Sequence, residues 1–319
     1  LALNPAFATA YPQMKPRFEK LKTLNTHYVA HEYFNRHWLP TYFSEVEAAL
    51  GEAKLSFAGS AHYLDHVPGL NLNAEQQAFL GGIPDAAFRQ TVYDFIVNQQ
   101  FRRDYFVRGA RRLVPQERAR LLRAEKVVLT THRADVPLKV RAARGEGNLT
   151  EDIYNPVLDL LADHRPRTIG QIERELGGTP GFAMALEAIL VLSGAGHLAP
   201  AQEDDAVAKA KRRTDKLNSW LLRRTAEGGD IAYLSSPVTG GGLTVSRVEQ
   251  FFLLALQQGR RQPGDWAQFA WAVLSGLQQK MVKEGKRIET PDENLAELSA
   301  LAENFAVKRL PMLKALLVA

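Results

Sequence analysis

His31-Glu32-Tyr33-Phe34-Asn35, Pro40-Thr41-Tyr42-Phe43-Ser44-Glu45 and Asp94-Phe95-Ile96-Val97-Asn98-Gln99-Gln100-Phe101-Arg102 are three phrases in the aromatic-rich first third of the chain. The aromatic and β-branched content from His27 to Asn35 predicts a strand. Thr41 to Leu50 carries Phe43, Val46, Ala49 and Leu50 at helical spacing, and Lys54 to Tyr63 alternates enough for a second strand. Residues 1–26, with Pro5, Pro12 and Pro16, read as a linker that becomes a short helix around Arg17 to Leu24.

Asn73 with Gln76 three residues on predicts a capping box, in which each side chain satisfies a free backbone donor. Gly81 to Pro84 breaks that helix and Asp85 starts a longer one. There Phe88, Val92, Phe95, Ile96 and Phe101 form one apolar stripe, which predicts a core face rather than a platform for stacking bases. Arg102 and Arg103 stand at its end, where cations suit the helix dipole.

The totals bound the function. At 319 residues, 45% hydrophobic and 24% charged, the chain has ample length for two or three globular domains. It has no cysteine. Disulfides, a thiol nucleophile and zinc–thiolate sites are therefore excluded, and a reducing cytoplasm suits the composition. No apolar run approaches the length of a membrane span, and no basic-then-apolar leader opens the sequence, so neither membrane insertion nor secretion is expected. The first residue is Leu1, which fits a piece of a longer protein. Net charge is +5, yet Phe101 to Gly147 hold thirteen Lys and Arg against five Asp and Glu, so the remainder is slightly acidic. Such a run serves an acidic partner, nucleic acid or protein, or is a solvated helix face with internal pairs. Arg102, Arg103, Arg108, Arg111 and Arg112 are its candidate partner-binding residues.

The three phrases, in this order and at these intervals, resemble the regulatory region that follows the catalytic domain in a group of bacterial S-adenosylmethionine-dependent methyltransferases, some of them similar to protein-lysine methyltransferases. The resemblance covers the first third directly. It implies that the strand, helix and strand from His27 to Tyr63 are the closing elements of a methyltransferase sheet. It also implies that His31, Glu32 and Tyr33 border the substrate entrance and contact the target side chain. S-adenosylmethionine is then expected in an associated catalytic domain, in cis or in trans, and no cofactor in this chain.

Downstream, Lys126 to Thr131 and Val136 to Ala142 have β character and flank His132 to Asp135, which predicts a hairpin. Gly145-Glu-Gly-Asn148 marks a domain boundary. From Glu151 to Pro200 the pattern is three helices and a short strand: Ile153, Val157, Leu160 and Leu161 stripe the first, Thr168 with Gln171 caps the second, and Phe182 to Leu192 is the third. This predicts a winged helix. Its groove-reading helix would present Thr179, Ala183, Ala185, Glu187 and Ala188, without a cation, so a protein-contact module is favoured over a DNA reader. The last third reads as helices, with Leu217, Trp220 and Leu221 inward on the first, Ser246 with Glu249 and Asp265 with Gln268 as caps, and Thr290-Pro-Asp-Glu293 opening another.

Two glycine stretches carry candidate chemistry. Val191-Leu-Ser-Gly-Ala-Gly-His-Leu-Ala199 has the letters of a cofactor loop, but helical spacing precedes it and Pro200 follows, so a glycine C-cap is expected. Gly240-Gly-Gly242 with Ser235, Ser236 and Thr239 reads as a turn, a phosphate or carboxylate site being the alternative. His27 and His31 are four apart, but on a strand they would not ligate one metal.

Together these readings predict a mainly α protein with small β elements, an α+β multidomain chain: a linker over 1–26, a methyltransferase regulatory region with a β hairpin over 27–147, a winged-helix-like domain over 148–205 and a helical domain over 206–319. The function expected is the regulatory, substrate-engaging part of a protein methyltransferase. Its partners would be the catalytic domain and a protein substrate rather than nucleic acid or membrane, with a homo-oligomer left open. The alternatives are a winged-helix nucleic-acid binder using the basic segment 102–144, and an autonomous enzyme whose Gly194 and Gly196 touch the cofactor.

Overall fold

Three apolar residues in succession, Val127, Val128 and Leu129, are all buried, although neighbouring side chains on a strand point to opposite faces. The strand that carries them must therefore be covered on both sides. In the computed structural model, which describes residues 5–178, 181–228 and 231–319, this strand lies between two hydrophobic cores. Val127 and Leu129 belong to one with Leu64, Val157, Ile172 and Leu192, and Val128 to the other with Phe251, Phe252, Trp266 and Phe305.

The chain opens with helices α1 (Ala6–Ala10), α2 (Met14–Thr23) and α3 (Thr26–Tyr33), none of which has a buried residue. The expected linker is thus helical at Ala6–Ala10 and Met14–Thr23. The strand expected from His27 to Asn35 is helix α3, because the Asn25 side chain accepts from the backbone N–H of His27 at 2.8 Å and nucleates the first turn. Then come α4 (Phe43–Glu52), β1 (Leu55–Ser60), a 3-10 turn at Tyr63–His66, α5 (Pro68–Asn71), α6 (Ala74–Gly81), α7 (Ala86–Val97) and β2 (Asp104–Arg108). β1 pairs antiparallel with β2, so the strand, helix and strand of a methyltransferase sheet are not formed.

The middle of the chain holds α8 (Pro115–Ala124), β3 (Lys126–Leu129), β4 (Lys139–Ala142), β5 (Gly145–Asn148), α9 (Glu151–Leu160), β6 (Arg167–Thr168), α10 (Ile169–Glu175), α11 (Phe182–Gly194) and β7 (Leu198–Pro200). β3, the doubly covered strand, is the centre of the sheet β6-β3-β7. The hairpin expected between 126–131 and 136–142 does not form: β4 pairs instead with β5, the stretch expected to be a boundary. Apolar character marked β3 as a strand but could not say which strands would flank it.

The remainder comprises α12 (Asp204–Arg224), β8 (Tyr233–Ser236), β9 (Gly241–Thr244), α13 (Arg247–Gln257), α14 (Pro263–Gly276), β10 (Val282–Lys283), β11 (Lys286–Arg287), α15 (Pro291–Asn304), a π-helical turn at Phe305–Arg309 and α16 (Leu310–Ala315). The chain is therefore mostly helical with small antiparallel sheets. Capping boxes form at Asn73, Thr168, Ser246 and Thr290. Asp265 is not a cap, since Pro263 already occupies the first turn of α14 after Gln262. α12 turns Asn218 and Leu222 inward and leaves Leu217 and Trp220 half exposed. A polar side chain sets that rotation: Asn218 donates to the Ser235 carbonyl and accepts from the Ser235 N–H, both at 2.8 Å, docking β8.

The cofactor-like glycines have structural roles. α11 ends in a Schellman turn, with the His197 N–H donating to the Leu192 carbonyl, the Gly196 N–H to the Ser193 carbonyl and Gly196 at φ +83°. At Gly194 a Cβ would fall 2.6 Å from the buried Leu64 side chain and 3.2 Å from its backbone nitrogen, so glycine lets the 3-10 turn lie against α11. Gly194→Ala should cost about 1–3 kcal/mol, from overpacking a filled contact. Gly51→Ala, within α4 with nothing near its Cβ, should gain up to about 1 kcal/mol. Urea denaturation of both variants measures the contrast.

Candidate functional site

Two of the three phrases that define the first third, Pro40 to Glu45 and Asp94 to Arg102, meet around one side chain. Phe43 opens α4 and is buried, and its ring lies 4.9 Å from Phe57 of β1 and 6.2 Å from Phe106 of β2. α7 ends at Asn98, which takes the left-handed conformation at φ +53° and turns the chain back. The Arg102 guanidinium then comes to rest 4.4 Å from the centre of the Phe43 ring. It donates to Asp94 at 2.6 Å, to Asp104 at 2.7 and 3.2 Å and to Gln90 at 3.0 Å.

Two carboxylates thus share one cation. Burial opposes the charge on Arg102, but the hydrogen bond to Asp104 and the charges of Asp94 and Asp104 outweigh it and hold the guanidinium above its ordinary pKa. Burial pushes the Asp94 carboxyl up, beyond what Arg102 returns. Other phrase residues are also structural. Glu45 accepts from the Tyr42 N–H at 2.7 Å and caps α4.

His31 and Glu32 are exposed on α3, and Tyr33 is half-buried with its ring 6.4 Å from that of Trp38. None of the three contacts the Arg102 cluster through a hydrogen bond. His27 and His31 now share a helix, yet among the described residues no group of three His, Asp or Glu could hold a metal ion. Thr179 lies outside the described residues.

The aromatic residues of the stripe expected in the core face outward: Phe88 and Phe95 on α7 are 55% and 68% exposed and Phe101, past its end, is 79% exposed, while Val92 and Ile96 are half-buried. The helix buries its opposite side, where Thr91 accepts from the Ser44 N–H of α4 at 3.2 Å. Periodicity revealed an apolar face but not its covering partner. Tyr42 lies 5.8 Å from Phe95, and Phe34, Trp38, Leu39 and Phe79 are exposed in the same segment. Together these side chains exceed what isolated surface aromatics explain.

Six of the thirteen cations of the basic segment form ion pairs among the described residues. Arg102 is consumed as described, Arg108 donates to the Ala53 carbonyl, and Arg111 pairs with Glu117. Arg123, Lys126, Arg133 and Lys139 pair with Glu173, Glu203, Asp159 and Glu146. Arg103 and Arg112 make no ion pair among the described residues. Sequence reasoning missed that Arg103 shares a polar cavity with Arg141, because no local signal joins positions that far apart.

A segment built in this way has known counterparts. Residues 25–108 match the family described as a predicted methyltransferase regulatory domain. Over 309 residues the chain is 40% identical to the uncharacterized protein sll1526 of Synechocystis sp., covering 96% of this chain and 60% of that protein. The chain therefore spans about 60% of the length of the curated relative it matches. Its fold is like that of PKMT2 from Rickettsia typhi in complex with AdoHcy, with a TM-score of 0.57, 14% identity and coverage of 97% of this chain and 64% of that one. A second PKMT2 structure gives a TM-score of 0.58 over the same shares. Among the described residues no helix is long and apolar enough to cross a membrane.

Arg102→Met would keep the aliphatic packing on Phe43 but strand Asp94 and Asp104. It should cost about 2–4 kcal/mol, below the value for a fully buried network because solvent reaches its edge. Gln90→Ala should cost under about 1.5 kcal/mol. Chemical denaturation of both variants tests this ranking.

Proposed function

We propose that the chain is the regulatory and substrate-engaging part of an S-adenosylmethionine-dependent protein methyltransferase, whose cofactor is held by a catalytic domain in cis or in trans and not by this chain. The observation that carries the reading is the uncovered aromatic face of α7 and its neighbours, within the very segment that matches the methyltransferase regulatory family. Large exposed aromatics in a fold with two filled cores suit a partner surface. His31, Glu32 and Tyr33, beside that face in sequence, are assigned to contact with the protein substrate, and the chain works in the cytoplasm.

In this reading 1–26 and 27–147 are the connecting and regulatory segments, 148–205 is a winged-helix-like module and 206–319 a helical platform. The module draws its central strand β3 from before residue 148. Its third helix, α11, uses Ala185, Ala188 and Gly194 against the body of the protein. Its exposed face carries Ala183, Met184 and Glu187 and no cation, which supports protein contact over DNA reading.

Calorimetric titration of S-adenosylmethionine into the isolated chain should give no saturable heat; binding at one site would place a cofactor here and overturn the reading. With the catalytic domain supplied, Phe88→Ser combined with Phe95→Ser should lower methyl transfer to protein by about tenfold or more, equivalent to losing one or two interface anchors. Cofactor affinity of the assembly should stay unchanged. Equal activity with and without the two substitutions counts against this face.

A further inference from the structure

The reversal at Asn98 has a second effect beside the Arg102 cluster. The Gln99 N–H donates to the Asp94 carbonyl at 2.8 Å and sends the chain back across the end of α7. In the extended run that follows, Arg102 turns toward Asp94 and Asp104, so its neighbour Arg103 turns to the other side. There it lines a cavity of about 320 Å³ together with Arg141, His62, Asp65, Tyr93 and Gln99.

Both guanidinium groups rise from anchored backbone. The Arg103 carbonyl accepts from the Ala61 N–H at 2.7 Å. Arg141 lies on β4, whose hairpin turn is tied to α5: the buried Asn71 accepts from the Ala143 N–H at 3.2 Å and donates to the Leu64 carbonyl at 2.8 Å, and Arg144 donates to the Gly69 carbonyl at 2.9 Å. Neither Arg103 nor Arg141 has a side-chain hydrogen bond or ion pair among the described residues. The nearby carboxylates are engaged elsewhere. Asp65 accepts from Ser60 at 2.6 Å and faces His62 at 3.5 Å, and Glu146, opposite Arg141 in the hairpin, is held by Lys139 at 3.0 Å.

The geometry points to an anion site here, built to take one carboxylate between Arg103 and Arg141. Two guanidinium forks suit a planar carboxylate, and Asp65 offsets one of the two positive charges, so a single negative charge balances the cavity better than a dianion. Leu64 and Val97 supply apolar wall for a short aliphatic stem. Tyr93 adds a phenol whose burial pushes its pKa up to about 12, keeping it a hydrogen-bond donor at neutral pH. The ligand is a carboxylate on a short chain, carried by an acidic residue of a polypeptide or by a free acid. The site does not depend on the methyltransferase reading.

The test uses the whole chain labelled with nitrogen-15 arginine and follows the side-chain N–H signals of Arg103 and Arg141, assigned by their loss in Arg103→Gln and Arg141→Gln. Three probes are titrated: a capped peptide containing one glutamate, the same peptide with glutamine, and glutarate. The glutamate peptide should shift both signals together and saturably, the glutamine peptide should not, and salt should weaken the response. Each single variant should weaken binding about tenfold, and Arg112→Gln, outside the cavity, should leave it unchanged. Saturation by glutarate as readily as by peptide assigns the site to a free acid, and a response to peptide alone assigns it to a polypeptide. No saturable shift with either carboxylate up to about 10 mM, weaker than any useful affinity, overturns the proposal. So does binding that stays unchanged in Arg103→Gln, read at the Arg141 signal, and in Arg141→Gln, read at the Arg103 signal.

Discussion

β3 is four residues long, and both hydrophobic cores of the protein press on it. Its pleat sends Val127 and Leu129 to one and Val128 to the other, and its edges are closed by β6 and β7. Its backbone groups are satisfied in place: the Ala201 N–H donates to the Lys126 carbonyl and the buried His164 contacts the Leu129 carbonyl at 2.9 Å. A strand covered on both faces has no tolerance for a shift of register, since a one-residue slip would exchange the residues given to each core. The middle and last parts of the chain are thereby fixed to each other through β3. Lys308 and Asp135 add an ion pair across the same divide.

The first third is attached differently. Its α11 contact runs through the Tyr63–His66 turn, and Gly194 permits the approach. Its own small core is aromatic, Phe43, Phe57 and Phe106, closed at one end by Arg102. A guanidinium can do this because its flat face packs on rings while its edge meets Asp94 and Asp104. Part of the charge that recommended the basic segment as a docking surface is therefore spent on holding the protein together.

What remains unspent is informative. Among the residues that the interior leaves uncovered are apolar ones on α7 and before α4, and cationic ones at Arg103 and Arg141. The first group suits a protein surface and the second a small acidic group. Phe95 and Arg103 lie on either side of the turn at Asn98.

Sequence alone determined what depends on neighbours in the chain. The capping boxes at Asn73, Thr168, Ser246 and Thr290, the glycine end of α11 and the mainly helical character were legible because such signals act over three or four residues. The resemblance of the first third to a methyltransferase regulatory region was legible as well, in the three phrases that lie within the matched residues 25–108. The Asn25 cap that coils the stretch from His27 is local too, but the aromatic and β-branched content there pointed to a strand. Tertiary structure decided the rest. Which strands flank β3, and which face of α7 is buried, depended on partners 40 to 70 residues away, at Thr91 with Ser44 and at β3 with β6 and β7. Periodicity states that a face is apolar. Only packing, which weighs every competing surface at once, settles what covers it.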